Sequence, residues 1–236
     1  MLHTRRKFLV LTGAAVSAAA LPLVARSQDR VNIGVIGSGN VGSAIGAVWV
    51  DGGHKVMFSS RHIEHDEALA EKLGRGARAG TPREAAAFGD VILMAVPYGA
   101  LPGIGKDLAD VIDGKIVIDA CNPFPNRDGD IADWAREKGV GLASAELLPG
   151  ARIVRAFNAI GASSMGSAYE EPGQVGMPIA GDDDEAVTVA SRLIRELGYE
   201  PVLVGGLEMG KYLMPGTPLA GEHSPGEIRE IAAGLE

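Results

Sequence analysis

One hexapeptide near the amino terminus has the residue types and the spacing of an anion-binding turn, Gly37-Ser38-Gly39-Asn40-Val41-Gly42. It follows an apolar run and begins a helical pattern, the context that a G-x-G-x-x-G motif requires. Gly37 permits a tight turn, Gly39 lets the backbone approach a pyrophosphate, and Gly42 lets helix and strand pack closely. The N–H groups of the helix's first turn would face the anion. The motif predicts the pyrophosphate site of a dinucleotide, against the simpler alternative of a glycine-rich turn without a ligand.

Residues that could bind a second anion follow the next apolar run, in the tetrapeptide Ser59-Ser60-Arg61-His62. Ser60 lies 23 residues after Gly37. Turns that bind NAD carry Asp or Glu near this position to hold the ribose 2′-hydroxyl. Here no carboxylate occurs before Glu64. The hydroxyl of Ser60 and the guanidinium of Arg61 suit a 2′-phosphate instead, so we expect NADP(H) rather than NAD. The alternative is a solvated polar pair at the end of a strand.

Three further segments follow apolar runs and are expected to surround the reacting half of the ligand. They are Ala95-Val96-Pro97-Tyr98, Asp119-Ala120-Cys121-Asn122-Pro123, and Asn158. The carboxyl ends of parallel strands meet at one edge of a sheet, where ligands bind. We therefore predict that Tyr98 and Asn158 line a substrate crevice.

No residue pattern predicts a catalytic nucleophile or a metal site. Cys121, the single cysteine, has no base near it in sequence and is expected to be buried. His62 and His65 lack the spacing of metal ligands, and Asp182–Glu185 reads as the start of a helix.

Apolar runs that alternate with helical patterns predict an α/β fold with a doubly wound parallel sheet. The seven predicted strands are Val31–Ile36, Lys55–Ser59, Val91–Val96, Lys115–Asp119, Arg152–Phe157, Met177–Ala180 and Pro201–Val204. Thr81-Pro82-Arg83-Glu84 is a capping box that predicts a helix through Phe88. From Gly205 onward, only Ser224-Pro225-Gly226-Glu227 predicts a helix start, so this tail is expected to pack against the sheet as a short C-terminal elaboration.

Length and charge restrict the function classes. The 236 residues, 46% hydrophobic and 22% charged, suffice for one domain with a sizeable core. The formal net charge of −8 argues against nucleic acid as a partner, because such binding needs a cationic face. With no linker-like segment, residues 28–236 are predicted to form a single domain.

Residues 1–27 are predicted to be a twin-arginine signal peptide. Thr4-Arg5-Arg6-Lys7-Phe8-Leu9 precedes a weakly hydrophobic stretch, and Ala25-Arg26-Ser27 offers small residues for cleavage. Removal of this segment leaves 18 Lys and Arg against 30 Asp and Glu, a net charge of −12. We therefore expect a periplasmic or exported protein that engages the twin-arginine export machinery. The alternative is a membrane anchor, which Pro22 and the many small residues disfavour.

The chain from about Val31 to Leu213 resembles the NADP-dependent reductases of the deazaflavin coenzyme, and it is similar to the cytosolic Rossmann domain of transmembrane ferric reductases. The resemblance rests on the glycine motif, Ser60-Arg61, Ala95-Val96-Pro97, Ala156-Phe157-Asn158 and Ala180-Gly181-Asp182-Asp183. It implies a Rossmann fold, a homodimer, and direct hydride transfer that needs no side-chain acid or base. It also implies site residues: Ser38, Asn40 and Val41 for the pyrophosphate, Ser60 and Arg61 for the 2′-phosphate, and Val96, Pro97 and Asn122 along the nicotinamide ribose.

Three hypotheses follow. The first is an NADP-dependent oxidoreductase that passes hydride between NADPH and a flavin, a deazaflavin or a similar small-molecule electron acceptor. The second is an NADP-dependent reductase of a small imine or carbonyl compound, which would need a proton donor such as Tyr98. The third is a noncatalytic NADP-binding or redox-sensing protein.

Overall fold

An eight-stranded sheet forms the centre of the molecule in the computed structural model, which describes residues 30–162, 165 and 172–235. The sheet order is β3-β2-β1-β4-β5-β6-β7-β8. All pairings are parallel except that of β6 with β7. The strands are β1 Asn32–Ile36, β2 Lys55–Ser59, β3 Ala77–Ala79, β4 Val91–Met94, β5 Ile116–Asp119, β6 Arg152–Arg155, β7 Gly176–Gly181 and β8 Glu200–Leu203. The predicted Rossmann-type α/β fold is confirmed, whereas the predicted signal segment 1–27 lies outside the described residues.

Helices cover both faces of this sheet. They are α1 Asn40–Asp51, α2 Ile63–Leu73, α3 Pro82–Phe88, α4 Leu101–Ile112, α5 Pro125–Asp128, α6 Asp130–Lys138, α7 Val140–Leu147, α8 Asp184–Glu196 and α9 Pro225–Ala233. The predicted capping box forms, since Thr81 accepts a hydrogen bond from the Glu84 N–H. The predicted helix start at Ser224 is also a capping box, in which Ser224 accepts a hydrogen bond from the Glu227 N–H. The described residues also form 3₁₀ segments at Tyr98–Ala100 and Leu207–Tyr212.

The core consists of two apolar layers, one on each side of the sheet. Because successive side chains of a strand point to opposite faces, Val91 and Leu93 of β4 join one layer while Ile92 and Met94 join the other. Helices α1 and α8 cover the first layer, and α3, α4 and α7 cover the second. Burial on both faces explains why these strands are continuous apolar runs in the sequence.

The structure departs from the prediction in three places. The edge strand β3 was not predicted, because it has three residues and none of its side chains is fully buried. Between β5 and β6, where the sequence analysis named no helix, the chain forms helices α5 to α7. Strand β7 runs antiparallel to β6, whereas a fully parallel sheet was predicted, and the described part of the connection between them contains no α-helix to make a parallel crossover.

The described chain enters the sheet at the amino end of β1. There His54, which is fully buried, accepts a hydrogen bond at Nδ1 from the Val31 N–H (3.2 Å) and contacts Glu196 through Nε2 (2.7 Å). These contacts tie the start of β1 to α8, at the edge opposite the carboxyl ends of the parallel strands. Within the described residues, no helix has the length and apolar character needed to cross a membrane.

Candidate functional site

The glycine motif forms the turn between β1 and α1, and β2 holds it in place. The N–H groups of Gly37 and Ser38 both donate to the Ser59 carbonyl, at 2.9 and 3.1 Å. Helix α1 begins at Asn40 with Gly39 as its N-cap, so no side chain caps its first turn. The N–H groups of that turn are therefore available to an anion.

The three glycines of the motif are required for different reasons. A Cβ atom on Gly37 would lie 2.3 Å from the Ala95 carbonyl oxygen, and one on Gly42 would lie 2.0 Å from the Gly37 carbonyl oxygen. A Cβ atom on Gly39 would meet no protein atom within 4 Å. Internal packing explains Gly37 and Gly42 but leaves Gly39 unexplained. The open space at Gly39 fits a ligand that approaches the backbone, as a dinucleotide pyrophosphate does.

Asp66 connects the glycine motif to the end of β2. It is fully buried in the first turn of α2, and it accepts hydrogen bonds from the hydroxyls of Ser38 and Ser60, the latter at 2.8 Å. Ser60 Oγ also accepts the His62 N–H at 3.0 Å. The Ser60 hydroxyl has protein acceptors in Asp66 Oδ2 and, at 3.2 Å, in the His62 carbonyl, so the Ser60 side chain is oriented by protein groups on both sides.

Arg61 is the free cation of this region. Its side chain is exposed, and no described residue forms an ion pair or a hydrogen bond with it. Arg61, His62 and His65 line a cavity of about 1040 Å³, here called the β2 cavity, together with Ser60 and the start of the glycine motif. This arrangement can bind a dianionic group through Arg61 without first breaking an internal ion pair.

A second cavity, of about 680 Å³ and here called the β6 cavity, lies at the carboxyl ends of β4, β5 and β6. The two cavities share part of their lining, so they form one continuous crevice along the edge of the sheet. The shared residues are Gly39, Ala95, Val96, Pro97 and Arg127. The structure thereby places all the predicted site residues except Tyr98 along this crevice or within the turn that borders it.

The β6 cavity is nearly free of ionisable groups. Among its described lining residues, Arg127 is the only one that carries a charge, and its guanidinium contacts Asp128 and donates to the Asn122 carbonyl at 2.8 Å. The remaining lining is apolar or amide, including Val41, Phe157 and Ile160. No acid or base for proton transfer is present in the described lining, and no described cluster of His, Cys, Asp and Glu could hold a metal ion.

A buried ion pair supports the wall of this cavity from behind. Asp119 at the end of β5 and Arg155 at the end of β6 are register partners in the sheet, both fully buried, with Nη1 and Oδ2 2.6 Å apart. Arg155 Nη1 also donates to the Cys121 carbonyl (3.2 Å), and Asp119 accepts the Cys121 N–H (2.8 Å). The pair holds the turn after β5. The sequence analysis did not predict this ion pair, although a charged residue at the end of each of two apolar strands could have indicated it.

Cys121 itself is buried, as predicted, and this burial raises the pKa of its thiol well above the usual value. A thiol in that state is protonated at neutral pH and is a poor nucleophile.

The prediction that Tyr98 lines the crevice is wrong. The chain turns away after Pro97, and the Tyr98 side chain lies fully buried between the sheet and α7, where its hydroxyl contacts Ser144 Oγ at 3.2 Å. Burial raises the pKa of Tyr98. The residue is a packing residue of the second apolar layer and does not face a ligand.

The tail from Gly205 contributes to the site in a way that the sequence did not predict. Its packing against the sheet was expected and is observed, through Leu213, Leu219 and Ile228. In addition, the tail lines the β6 cavity with Pro215, Gly216, Ala220 and Gly221. These small residues carry no motif, so only their position in the fold reveals the role.

Comparison with known proteins agrees with this geometry. Residues 32–123 match the family model described as NADP oxidoreductase, coenzyme F420-dependent. The chain is 29% identical over 203 residues to the F420-dependent NADP reductase of Methanothermobacter thermautotrophicus, covering 80% of this chain and 87% of that protein. The F420-dependent NADP reductase of Methanothermobacter marburgensis is 29% identical over 196 residues, with 78% and 87% covered.

A solved structure extends the likeness over most of the chain. A hypothetical protein from Sinorhizobium meliloti superposes with a TM-score of 0.68 at 25% identity, and the match covers 83% of this chain and 95% of that one. The family match spans β1 to the turn after β5, which contains the glycine motif, Ser60, Arg61 and Asn122. Through this segment, the chain is similar to the coenzyme F420-dependent NADP oxidoreductases.

Proposed function

We propose that this protein transfers hydride between NADPH and a planar flavin-type or deazaflavin-type acceptor, and that it does so after twin-arginine export. The observation that carries the proposal is the single crevice with two anion-binding points, Gly39 and Arg61, that leads into an apolar cavity. The relatives named F420-dependent NADP reductase support a deazaflavin as the first acceptor to test.

Different residues of the crevice would bind different parts of NADP(H). The first turn of α1 would hold the pyrophosphate, Arg61 the 2′-phosphate, and Val96, Pro97 and Asn122 the nicotinamide half. Reduced nicotinamide supplies the hydride when it is bound. The apolar walls exclude water and hold two rings in contact, so positioning provides the catalysis. The acceptor takes up its accompanying proton from solvent, because the described lining of the β6 cavity holds no proton donor.

The second hypothesis, reduction of a small imine or carbonyl compound, loses its proposed proton donor. Tyr98 is buried behind the crevice wall, and no other phenol, imidazole or carboxyl group lines the described part of the β6 cavity. The third hypothesis, a protein that binds NADP without turnover, is distinguished from the first by the measurement of NADPH oxidation described next.

The experiment is NADPH oxidation by residues 28–236 with a panel of acceptors: the deazaflavin coenzyme, FMN, FAD and a ferric chelate, with NADH in parallel. We expect turnover that depends on the acceptor and prefers NADPH. Tight NADPH binding without turnover on any acceptor would support the binding protein instead.

The cofactor assignment is tested by Arg61→Glu. We expect this variant to lose NADPH preference by about 10- to 1,000-fold, because one or two hydrogen bonds to a charged group are replaced by repulsion. Arg229→Glu on α9, which makes the same charge change at an exposed site outside both cavities, is the matched control. Unchanged selectivity in Arg61→Glu would show that the 2′-phosphate binds elsewhere.

A further inference from the structure

Asn158 lies where two unfavourable features of the fold meet at the wall of the β6 cavity. The residue before it, Phe157, has a φ of +68°, a conformation that bulky L-residues rarely adopt. Asn158 is 1% exposed, and its side-chain Oδ1 accepts no hydrogen bond from any described residue. Strained backbone and unpaired buried acceptors both reduce stability, and their coincidence at a ligand crevice indicates a functional reason.

The side-chain nitrogen of Asn158, Nδ2, fixes the orientation of the amide. Its Nδ2 donates to the Cys121 carbonyl at 3.2 Å, and that carbonyl is also held by Arg155 Nη1. A carbonyl accepts and cannot donate, so the nitrogen must face it and Oδ1 must be the free atom. In return, Asn122 Nδ2 donates to the Asn158 carbonyl at 2.8 Å, which joins the two turns after β5 and β6.

Two amide oxygens of this wall, Asn122 Oδ1 and Asn158 Oδ1, are buried acceptors without a donor among the described residues. Asn158 Oδ1 has less than 1 Å² of accessible surface, so a donor on a ligand reaches it only when the wall shifts as the ligand binds. The described lining of the cavity at Asn158 is otherwise apolar or amide, and the one charged side chain in that lining, Arg127, donates to the Asn122 carbonyl and to Asp128. A neutral N–H donor carried on a planar ring matches an amide oxygen set in such a wall.

We propose that Asn158 Oδ1 accepts a hydrogen bond from the carboxamide NH₂ of the nicotinamide ring, and so selects the ring and fixes its rotation at the carboxyl end of β6. This inference rests on the proposed function, because it takes NADP(H) as the cofactor. It assigns Asn158 to the cofactor, whereas the sequence prediction placed it in the substrate crevice. Rotation of the ring decides which face of C4 meets the acceptor, so Asn158 is a specificity-determining residue.

The test is equilibrium binding of three oxidised ligands, measured by protein fluorescence or calorimetry without turnover. They are NADP⁺, its thionicotinamide analogue, which keeps the NH₂, and its 3-acetylpyridine analogue, which replaces the NH₂ by a methyl group. We expect the wild-type protein to bind the acetylpyridine analogue about tenfold more weakly than the other two, as expected for one lost neutral hydrogen bond.

Asn158→Leu should remove this discrimination, so that all three ligands bind within about twofold of one another. Asn158→Ala is measured in parallel in case leucine disturbs the wall, and thermal melting confirms that each variant is folded. Asn126→Leu, an exposed asparagine of α5 outside both cavities, is the matched control and should retain the wild-type discrimination.

Two outcomes would overturn the proposal. If Asn158→Leu weakens all three ligands by the same factor, the residue contacts the ribose or only supports the turn. If the wild-type protein binds all three ligands equally, the carboxamide has no such partner. Failure of the cofactor assignment is distinguishable: in that case 2′-phospho-ADP-ribose, which lacks the nicotinamide ring, would not bind either.

Discussion

At the residue scale, Ser60 and Arg61 are neighbours with different roles. The Ser60 hydroxyl donates to the buried Asp66, whereas Arg61 contacts no described partner. We therefore expect Arg61→Ala to weaken NADPH binding by at least tenfold and Ser60→Ala to weaken it by less than about threefold. Titration of both variants with NADPH and NADH measures this. Equal losses would mean that Ser60 releases Asp66 when the cofactor binds.

Asp66 is the residue on which the shape of the phosphate-binding turns depends. It receives the hydroxyls of both Ser38 and Ser60 in a fully buried position. Hydrogen bonds to a charged group contribute roughly 1.5–3 kcal/mol each, so Asp66→Ala should lower the free energy of unfolding by about 3 kcal/mol. Glu67→Ala, at the exposed next position of α2, should change it by less than about 0.5 kcal/mol. Urea denaturation compares the two.

The burial of Tyr98 predicts that its hydroxyl contributes to stability and not to turnover. Tyr98→Phe should leave NADPH oxidation unchanged and lower the free energy of unfolding by about 1 kcal/mol, because it removes one buried hydrogen bond to Ser144. Steady-state kinetics and urea denaturation measure the two effects. A complete loss of turnover in a folded Tyr98→Phe protein would restore the second hypothesis, in which Tyr98 donates a proton.

The sequence indicated site residues where a motif carries the chemistry and missed them where only the fold does. The glycine motif and Arg61 are recognisable because local geometry determines their function. Asp66 looks like an ordinary acidic residue of a first helical turn, and nothing in the sequence links it to Ser38, 28 residues away. Tyr98 was misplaced because one turn of backbone after Pro97 decides between the crevice and the core.

At the element scale, Arg152 of β6 joins the sheet to the start of α8. It donates to both oxygens of Asp183, the N-cap residue of α8, at 2.6 and 2.8 Å, and to Glu185 at 2.8 Å. The Arg152 hydrogen bonds, together with the Ala186 N–H, lower the pKa of Asp183 to about 2. This interaction therefore fixes β6 relative to α8 only while the Asp183 carboxyl is ionised.

Acid should weaken this link in a defined pH window. A carboxyl group whose pKa is depressed on folding stabilises the folded state above its unfolded value of about 4, and it loses that contribution as pH falls towards 2. We expect Arg152→Met to be less stable than wild type at pH 5 and the difference to shrink as pH approaches 2. Urea denaturation at pH 5, 4 and 3 measures it, with Arg229→Met as the control. A pH-independent difference would exclude the Asp183 carboxyl as the cause.

The seven predicted strands, the capping box at Thr81 and the helix start at Ser224 are present because each is encoded by a short, strong local pattern. The orientation of β7 could not be predicted from a local pattern. Its run, Gly176–Gly181, is as apolar as a parallel strand, since it too is fully buried. Only the connection to β6 determines its direction, and no helical periodicity marks that connection.

At the scale of the whole molecule, the crevice is assembled from distant parts of the chain. Its floor comes from the carboxyl ends of β1, β2, β4, β5 and β6, and its far wall includes the tail residues Pro215 and Ala220. The α/β class followed from alternating patterns, whereas the role of the tail followed only from its contacts. The single domain over 28–236, the homodimer and the export signal stay predictions.

The place where the chain enters the sheet has a consequence for how the protein is made. Residue 30 precedes the amino end of β1, and the crevice lies at the carboxyl end, about 16 Å away along the five-residue strand. A peptide attached before residue 30 therefore starts on the side of the sheet facing away from the cofactor. If residues 1–27 are the predicted twin-arginine leader, the polypeptide could fold around NADPH while that leader is still attached, as export of a loaded protein would require.

This order of events is measurable. The full chain, 1–236, and the shortened chain, 28–236, should bind NADPH with dissociation constants within about twofold of each other. A leader that weakened binding tenfold would have to reach around the sheet into the crevice. With equal affinities, cofactor capture would precede transport, and each exported molecule would carry out of the cytoplasm the nicotinamide that it uses.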